Sequence, residues 1–225
     1  MAEIVFYCIL SEIMVYLSIM SVKSKTAKLI RQQIEAMPAG EPFTTAVFLN
    51  AGSRAAVDQT LSRLVKEGLI ERILRGVYVR PEYNRFVGKV LPEPLKVAKA
   101  IGEATGATVE VHGAEAARQF GLTTQMPAQA VYNTSGASKR IKMGDTEVRL
   151  RHVSPRKLAL AGRPAGIALA ALWYLGKESV TPKVIEQIHS KLPKNEFNVL
   201  KSSTNLMPGW LSDTFYRMEN IHQNG

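Results

Sequence analysis

The segment that decides the fold of the first half of the chain is AGSRAAVDQTLSRLVKEGLIERILRGVYVRP, residues 51–81. Four of its apolar residues follow the i, i+4, i+7, i+8 spacing of a helix with one buried stripe: Val57, Leu61, Leu64 and Val65. Ser53 is a residue type that caps the start of such a helix, and Gly68 is one that ends it. LIERIL and VYVRP then meet at Arg75-Gly76 and predict the two short strands of a hairpin.

Two further helices are predicted before this segment. KSKTAKLIRQQIEAM, residues 23–37, carries apolar side chains at helical spacing. TAVFLNA predicts a short helix that Thr44 or Thr45 can cap and that Gly52 closes. Helix, short helix, capped helix and hairpin, in that order, are the elements of a winged helix-turn-helix, and we predict this DNA-binding fold for residues 21–83.

The face of the capped helix opposite its apolar stripe predicts how it contacts DNA. At 100° per residue this face carries Ala55, Gln59, Ser62, Arg63 and Lys66. The small Ala55 leaves room for a close approach to the major groove, Gln59 can pair with an adenine edge, and Arg63 can reach guanine or a phosphate. We therefore expect this helix to read bases.

Residues beside this face predict phosphate contacts. The free backbone donors at the helix start suit a phosphate near Ser53 and Arg54. Arg54 falls toward the apolar side of the helical wheel, so we expect it to reach a phosphate rather than a base. Arg72, Arg75 and Arg80 would place positive charge on the hairpin, along the neighbouring DNA backbone.

The same pattern fits a second interpretation. An amphipathic helix with a polar outer face is also the pattern of an ordinary solvated surface, and three-helix units with hairpins also mediate protein contacts. The alternative function is a non-catalytic interaction protein that uses the winged helix and a basic sheet to bind RNA or a protein partner. The order of the elements and the sign of their charge together favour double-stranded DNA.

The net charge of +10 at pH 7 favours a polyanionic partner. Residues 20–90 carry 12 Lys and Arg against 6 Asp and Glu, and residues 91–225 carry 17 against 11. Within the second part, residues 139–157 hold 7 basic and 2 acidic residues. The chain therefore has two separate basic regions.

The second half of the chain predicts a mixed α+β domain. Residues 84–96 contain two prolines and are interpreted as a linker, which leaves residues 97–225 for the domain. Its strands come early, and the last two are joined by a hairpin turn at Gly144-Asp145. AGIALAALWYLG, residues 165–176, predicts a core helix too short to span a membrane, and further helices follow it.

One face of the predicted sheet is cationic. In TEVRLRHV, Val148 and Leu150 share one face, and Glu147 and two arginines share the other. The candidate second basic surface consists of Lys139, Arg140, Lys142, Arg149 and Arg151. It predicts contact with RNA, DNA or an acidic protein, and the alternative is a solvated sheet face.

Neither an active site nor a metal or cofactor site is predicted. The sequence has no G-x-x-x-x-G-K-[ST], G-x-G-x-x-G, H-E-x-x-H or G-x-S-x-G motif. Its single cysteine, Cys8, and its four separated histidines match no metal-ligand spacing. His112 follows a predicted strand, where a lone histidine is more often structural than catalytic. We expect a protein that is not an enzyme and holds no cofactor.

Three interpretations stay open for residues 1–20, MAEIVFYCILSEIMVYLSIM. This apolar leader is long enough to span a bilayer, but Glu12 in its middle makes that costly, and Glu3 replaces the positive charge that a signal peptide needs. It can instead be an extra packed helix, or a dispensable extension with translation starting at Met14 or Met20. We expect a cytoplasmic protein without a membrane partner.

Two segments resemble one known family. GSRAAVDQTLSRLVKEGLIERILRGVY is similar to the N-terminal domain of AbiEi-type antitoxins. PAQAVYNTSGASKRIKMGDTEVRLRHVSPRKL resembles the start of the C-terminal antitoxin domain of the same family. The likeness covers residues 24–160 well and the remainder loosely, and residues 1–19 have no recognised counterpart.

The resemblance implies a bifunctional protein of a type IV toxin–antitoxin system, which serves in abortive infection and phage defence. Its N-terminal winged helix-turn-helix would bind inverted repeats in the promoter of its own operon and repress transcription. Its C-terminal α+β antitoxin domain would counter a nucleotidyltransferase-like toxin, encoded by the neighbouring gene, without forming a stable complex with it.

Overall fold

The computed structural model describes residues 25–144 and 146–223, in which helices and strands form a mixed α+β arrangement. The helices are α1 (25–36), α2 (Arg54–Lys66), α3 (Pro94–Ala104), α4 (Gly113–Gln119), α5 (Pro164–Leu175), α6 (Pro182–Lys191), α7 (Lys194–Ser202) and α8 (Gly209–Gln223). The strands are β1 (Pro42–Thr44), β2 (Glu71–Leu74), β3 (Val77–Val79), β4 (Glu82–Asn84), β5 (Gly88–Val90), β6 (Val109–Val111), β7 (Ala130–Thr134), β8 (Lys139–Met143) and β9 (Thr146–His152). Residues 1–20, for which three interpretations were given, lie outside the described residues.

The chain divides into two compact units between Ala100 and Ile101, within α3. Residues 84–96, interpreted above as a linker, contain β5 and the first turn of α3. Strand β5 pairs antiparallel with β4, with Asn84 opposite Gly88. This part of the chain is therefore mostly a hairpin and the start of a helix.

The apolar core of the first unit joins α1, α2 and the β2–β3 hairpin. It consists of Ile30, Ile34, Phe43, Phe48, Val57, Leu61, Leu64, Ile70 and Tyr78. The predicted stripe on α2 is thus confirmed, although Val65 is only partly buried. Thr60 is buried beside it, and its hydroxyl donates to the Ala56 carbonyl at 2.8 Å, which offsets the cost of burying a polar group.

Both ends of α2 follow from the residues that flank it. The Ser53 hydroxyl oxygen accepts a hydrogen bond from the Ala56 N–H at 3.3 Å, which confirms the predicted cap. Such a cap is worth about 1 kcal/mol. Gly68 ends the helix with a φ of 75°, a left-handed conformation that glycine adopts without a side-chain clash.

The first unit also contains a three-stranded antiparallel sheet, ordered β1-β3-β2. The predicted hairpin is confirmed, with Gly76 at a φ of 80° in its turn. The prediction that Thr44 or Thr45 caps a helix of seven residues is wrong, since only a 3₁₀ turn, Thr45–Phe48, forms there without a side-chain cap. Thr44 instead belongs to β1 and pairs with Val77, and its side chain is buried.

The second unit contains a four-stranded sheet ordered β6-β7-β9-β8. Strands β8 and β9 pair antiparallel as predicted, with Gly144 at the turn; Asp145 lies outside the described residues. Strand β9 then lies parallel to β7, a pairing that the sequence did not predict. Val148 and Leu150 are buried, so the predicted alternation along β9 is confirmed.

Helix α5 is the core helix predicted for the second unit, and most of its residues are buried. Helix α4 packs so closely on it that a Cβ added at Gly113 would lie 2.4 Å from the Tyr174 Cβ. At the start of α5, the buried Glu196 carboxylate accepts hydrogen bonds from the Arg163 guanidinium at 2.8 Å and the Ala165 N–H at 3.2 Å. Among the described residues, no helix combines the length and the apolar composition needed to cross a bilayer.

Candidate nucleic-acid interface

The outer face of α2 is open to solvent. Ala55, Gln59, Ser62, Arg63 and Lys66 are all exposed, as the helical wheel predicts. Within the described chain, the side chains of Gln59, Arg63 and Lys66 have no hydrogen-bond or ion-pair partner. The helix has 13 residues. An α-helix is about 10–12 Å across with its side chains, and a major groove about 12 Å wide can receive it.

Arg54 differs from the expectation that it turns toward the apolar side of α2. Its guanidinium is exposed and its Nε donates to both carboxylate oxygens of Asp58, at 3.2 and 3.1 Å. The pair spans one turn of the helix, so both side chains lie along its solvent side. A phosphate at the start of α2 would therefore compete with Asp58 for Arg54, while the Ser53 hydroxyl already occupies the Ala56 N–H.

The three predicted cations of the hairpin have three different environments. Arg75 is exposed at the turn, and its guanidinium has no partner among the residues described. Arg72 is exposed and donates from Nε to the Leu74 carbonyl at 3.3 Å within its own strand. Arg80 does not extend along the hairpin as predicted: it donates to the Glu35 carbonyl at 2.6 Å, in the last turn of α1. Arg80 therefore caps a helix end.

Several other cations of the first unit, which the sequence did not single out, are balanced locally. Arg31 forms ion pairs with Glu35 and Glu67, and Lys96 forms one with Glu41 at 2.6 Å. The arginine and lysine of the α2 face differ from these in having no counter-charge within the described chain.

Most of the candidate second basic surface lies on one face of β8 and β9. Arg140 is directly opposite Arg149, and Lys142 is directly opposite Glu147, all with exposed side chains. Like charges directly opposite each other across antiparallel strands are destabilising. An anion bound over this face would relieve the repulsion between the two arginines.

Two residues of this surface are placed differently from the rest. Lys139 is exposed but pairs with Leu150, so the strand alternation assigns it to the opposite face of the sheet. Arg151 shares the face of Arg149 and is paired with Asn133 of β7, and both Arg151 and Asn133 border a cavity. The predicted surface is therefore divided.

This cavity was not predicted from the sequence. Its volume is about 450 Å³, and all its lining residues belong to the second unit. Those with polar or aromatic side chains include His112, Asn133, Arg151, Lys157, Trp173 and Tyr174. They come from the ends of β6 and β9, from β7, from the turn at Pro155–Leu158 and from α5, and only their separate residue types were visible in the sequence.

His112 has the structural role that a lone histidine at a strand end suggests. Its Nδ1 accepts a hydrogen bond from the Ala114 N–H at 3.2 Å and so caps α4. Burial lowers the pKa of His112, and the charges of Arg151 and Lys157 lower it further. The ring is therefore neutral at pH 7, with its hydrogen on Nε2. In the described chain, no group of three His, Cys, Asp or Glu side chains is arranged to hold a metal ion.

The chain matches a sequence family over residues 29–200, which include both α2 with its hairpin and the sheet with its cavity. It belongs to the family of unknown function DUF6088. The DUF6088 match spans the larger part of the chain and leaves out residues 1–28 and 201–225. A comparison with curated proteins gives no match. Neither comparison assigns a function to this DUF6088 chain.

Proposed function

We propose that the first unit is a winged helix-turn-helix that binds double-stranded DNA, with α2 in the major groove and the β2–β3 hairpin along the neighbouring backbone. One observation carries the proposal: the polar face of α2 is exposed, and its Gln59, Arg63 and Lys66 side chains are free of partners in the described chain. Gln59 suits adenine and Arg63 suits guanine, while Lys66 and Arg75 contact phosphates.

The direct test is a binding titration with the promoter of the protein's own operon and a scrambled duplex of equal length. Sequence-specific binding requires a promoter affinity that survives competitor DNA and falls steeply with salt. Arg63→Ala is expected to lower promoter affinity by about 1–3 kcal/mol and to relax preference at one base pair. Arg75→Ala is expected to weaken both duplexes equally and to reduce the salt slope by about 1. Equal affinity of the wild-type chain for both duplexes would rule out sequence-specific binding to the promoter, which a repressor requires.

We further propose that the chain is an autorepressor and antitoxin of a type IV toxin–antitoxin system, acting in the cytoplasm. The support is the resemblance to AbiEi-type antitoxins, with a DNA-binding first domain and an α+β second domain in that order. In this proposal the second unit counters a nucleotidyltransferase-like toxin without catalysis and without a stable complex.

The antitoxin proposal is tested by expressing the neighbouring gene with and without this chain. Growth should stop when the neighbouring gene is expressed alone and resume when the chain is co-expressed. A chain that carries Arg63→Ala should still restore growth when transcribed from an unrelated promoter, because the α2 face serves repression rather than neutralisation. Co-purification of the two proteins in a stable complex would contradict the type IV assignment.

A second candidate function is binding of RNA or an acidic protein by the basic sheet face. The exposed Arg140 and Arg149, which face each other without an intervening acid, favour it. In that case Arg149→Ala would abolish nucleic-acid binding while Arg63→Ala would leave it intact. Titrating the two variants with an RNA strand as well as with the two duplexes therefore separates the two functions.

A further inference from the structure

The cavity of the second unit has the size of a small-molecule site. Its volume of about 450 Å³ falls within the range of about 300–1,000 Å³ that is usual for ligand pockets. It is formed by two strand ends, a turn and α5, which are parts of one compact unit. A ligand could therefore bind there whatever the first unit does.

The lining of this cavity is cationic. Arg151 and Lys157 both border it, and of the described residues that line it none is an aspartate or a glutamate. The Arg151 guanidinium has no ion-pair partner in the described part of the chain, and the Lys157 Nζ lies 5.0 Å from the ring centroid of Trp173. Two cations beside a cavity without a counter-charge favour an anion, and arginine in particular suits phosphate.

A neutral hydrogen-bond donor borders the same space. His112 lines the cavity and carries its hydrogen on Nε2, because its Nδ1 accepts from the Ala114 N–H. An acceptor atom of a ligand can pair with this donor.

Part of the lining is aromatic. The His112 and Tyr174 rings meet edge to face with centroids 5.8 Å apart, and Trp173 also borders the cavity. Aromatic side chains form stacking surfaces for nucleobases, whatever the base. The cavity thus combines two cations, a neutral donor and aromatic rings.

We propose that this cavity binds a nucleoside monophosphate group, with the phosphate held by Arg151 and Lys157 and the base against the aromatic rings of Trp173 and Tyr174. The group is either a free nucleotide or the 5′-phosphorylated end of an RNA strand. This site is separate from the α2 face and does not depend on DNA binding.

The test uses the intrinsic fluorescence of Trp173 in the full chain. The chain contains two tryptophans, so Trp210→Phe leaves Trp173 as the reporter. In this background we expect adenosine 5′-monophosphate to change the emission saturably. Adenosine and inorganic phosphate should each bind at least about tenfold more weakly, because each lacks half of the recognised chemistry. Equal binding of phosphate and the nucleotide would overturn the assignment of a base site.

Arg151→Gln and Lys157→Gln should each weaken nucleotide binding at least about tenfold. Lys183→Gln is the matched control, since it removes one exposed charge of the second unit outside the cavity, and it should leave the affinity unchanged. Circular dichroism shows whether Arg151→Gln still folds. If it does not, the nucleotide affinity of Lys157→Gln alone tests the phosphate contact. The absence of any saturable nucleotide signal would overturn the proposal. An equal loss of nucleotide affinity in Arg149→Gln and Arg151→Gln would also overturn it, because binding would then occur on the open sheet.

A second readout distinguishes binding in the cavity from a structural effect of the substitutions. Arg151 and Lys157 lower the pKa of His112, so a bound phosphate, which opposes their charge, should raise it. NMR titration of the histidine ring protons measures this pKa. An unchanged pKa at saturating nucleotide would contradict the site. Tighter binding of a 5′-phosphorylated oligoribonucleotide than of the mononucleotide would identify a strand end as the ligand, and weaker binding would identify the free nucleotide.

Discussion

Asp58 is the acidic residue whose removal should strengthen DNA binding. It lies on α2 one turn after Arg54 and holds that guanidinium through contacts of 3.1 and 3.2 Å. Both side chains are more than half exposed, 62% for Arg54 and 51% for Asp58. Asp58→Ala therefore removes a negative charge beside the proposed DNA-binding face and frees a cation near the start of the helix.

The size of the gain follows from counterion release. Each phosphate neutralised on duplex DNA contributes about 0.9 to the slope of log affinity against log salt, so one new contact at about 0.1 M salt raises affinity about eightfold. Loss of the exposed pair should lower the unfolding free energy by no more than about 0.5 kcal/mol. The substitution should thus separate affinity from stability.

The assay is fluorescence anisotropy of a labelled promoter duplex at several salt concentrations. The matched control is Glu41→Ala, which removes the same charge from another exposed pair of the first unit, with Lys96. We expect a steeper salt slope and tighter binding for Asp58→Ala alone. Unchanged or weaker binding of Asp58→Ala would refute the placement of the α2 start near a phosphate. Equal gains in affinity for Asp58→Ala and Glu41→Ala would show that only the net charge of the protein matters.

Three further predictions concern stability, each measured by urea unfolding. Leu61→Ala should lower the free energy of unfolding by about 2–5 kcal/mol, because the Leu61 side chain is fully buried in the core of the first unit. Ser62→Ala, at the exposed neighbouring position, should change that free energy by less than about 0.5 kcal/mol. Gly113→Ala should lower the free energy of unfolding by about 1–3 kcal/mol, since the new Cβ would lie 2.4 Å from the Tyr174 Cβ of α5. Gly209→Ala should be neutral or slightly stabilising, because among the described residues no packing neighbour lies within 4 Å of the added Cβ. Glu196→Gln should destabilise the protein at pH 7, because hydrogen bonds from its arginine partner and a backbone N–H hold the pKa of this carboxylate below the ordinary glutamate value. The stability from that lowered pKa is fully present well above the ordinary value and is lost as the pH falls through the folded pKa. The unfolding free energies of wild type and variant should therefore converge in acid, and a difference that stays constant with pH would contradict this.

The elements that the sequence predicted correctly are those with local signals. Ser53 and Gly68 mark the two ends of α2 by their own chemistry, and Arg75-Gly76 marks the hairpin turn. The alternation of Val148 and Leu150 assigned the buried face of β9 in the same way. In each case the deciding residues lie within one element or one turn of each other.

The features that were missed depend on contacts between distant residues. Thr44 resembles a helix cap, but it lies in β1 and pairs with Val77 of β3, so a pairing far along the chain decided its role. Arg80 was assigned to the hairpin surface, yet its acceptor is the Glu35 carbonyl 45 residues away. The cavity likewise gathers single residues from several elements, and its side chains carried no common pattern in the sequence.

The most direct test of the central claim is photocrosslinking of promoter DNA from two positions. A photoreactive amino acid in place of Ser62 lies on the exposed face of α2, and one in place of Lys142 lies on the basic sheet face. If α2 occupies the major groove, the group at Ser62 will crosslink to bases of the operator and the group at Lys142 will not. Crosslinking from Lys142 with none from Ser62 would show that the sheet, not α2, contacts the nucleic acid.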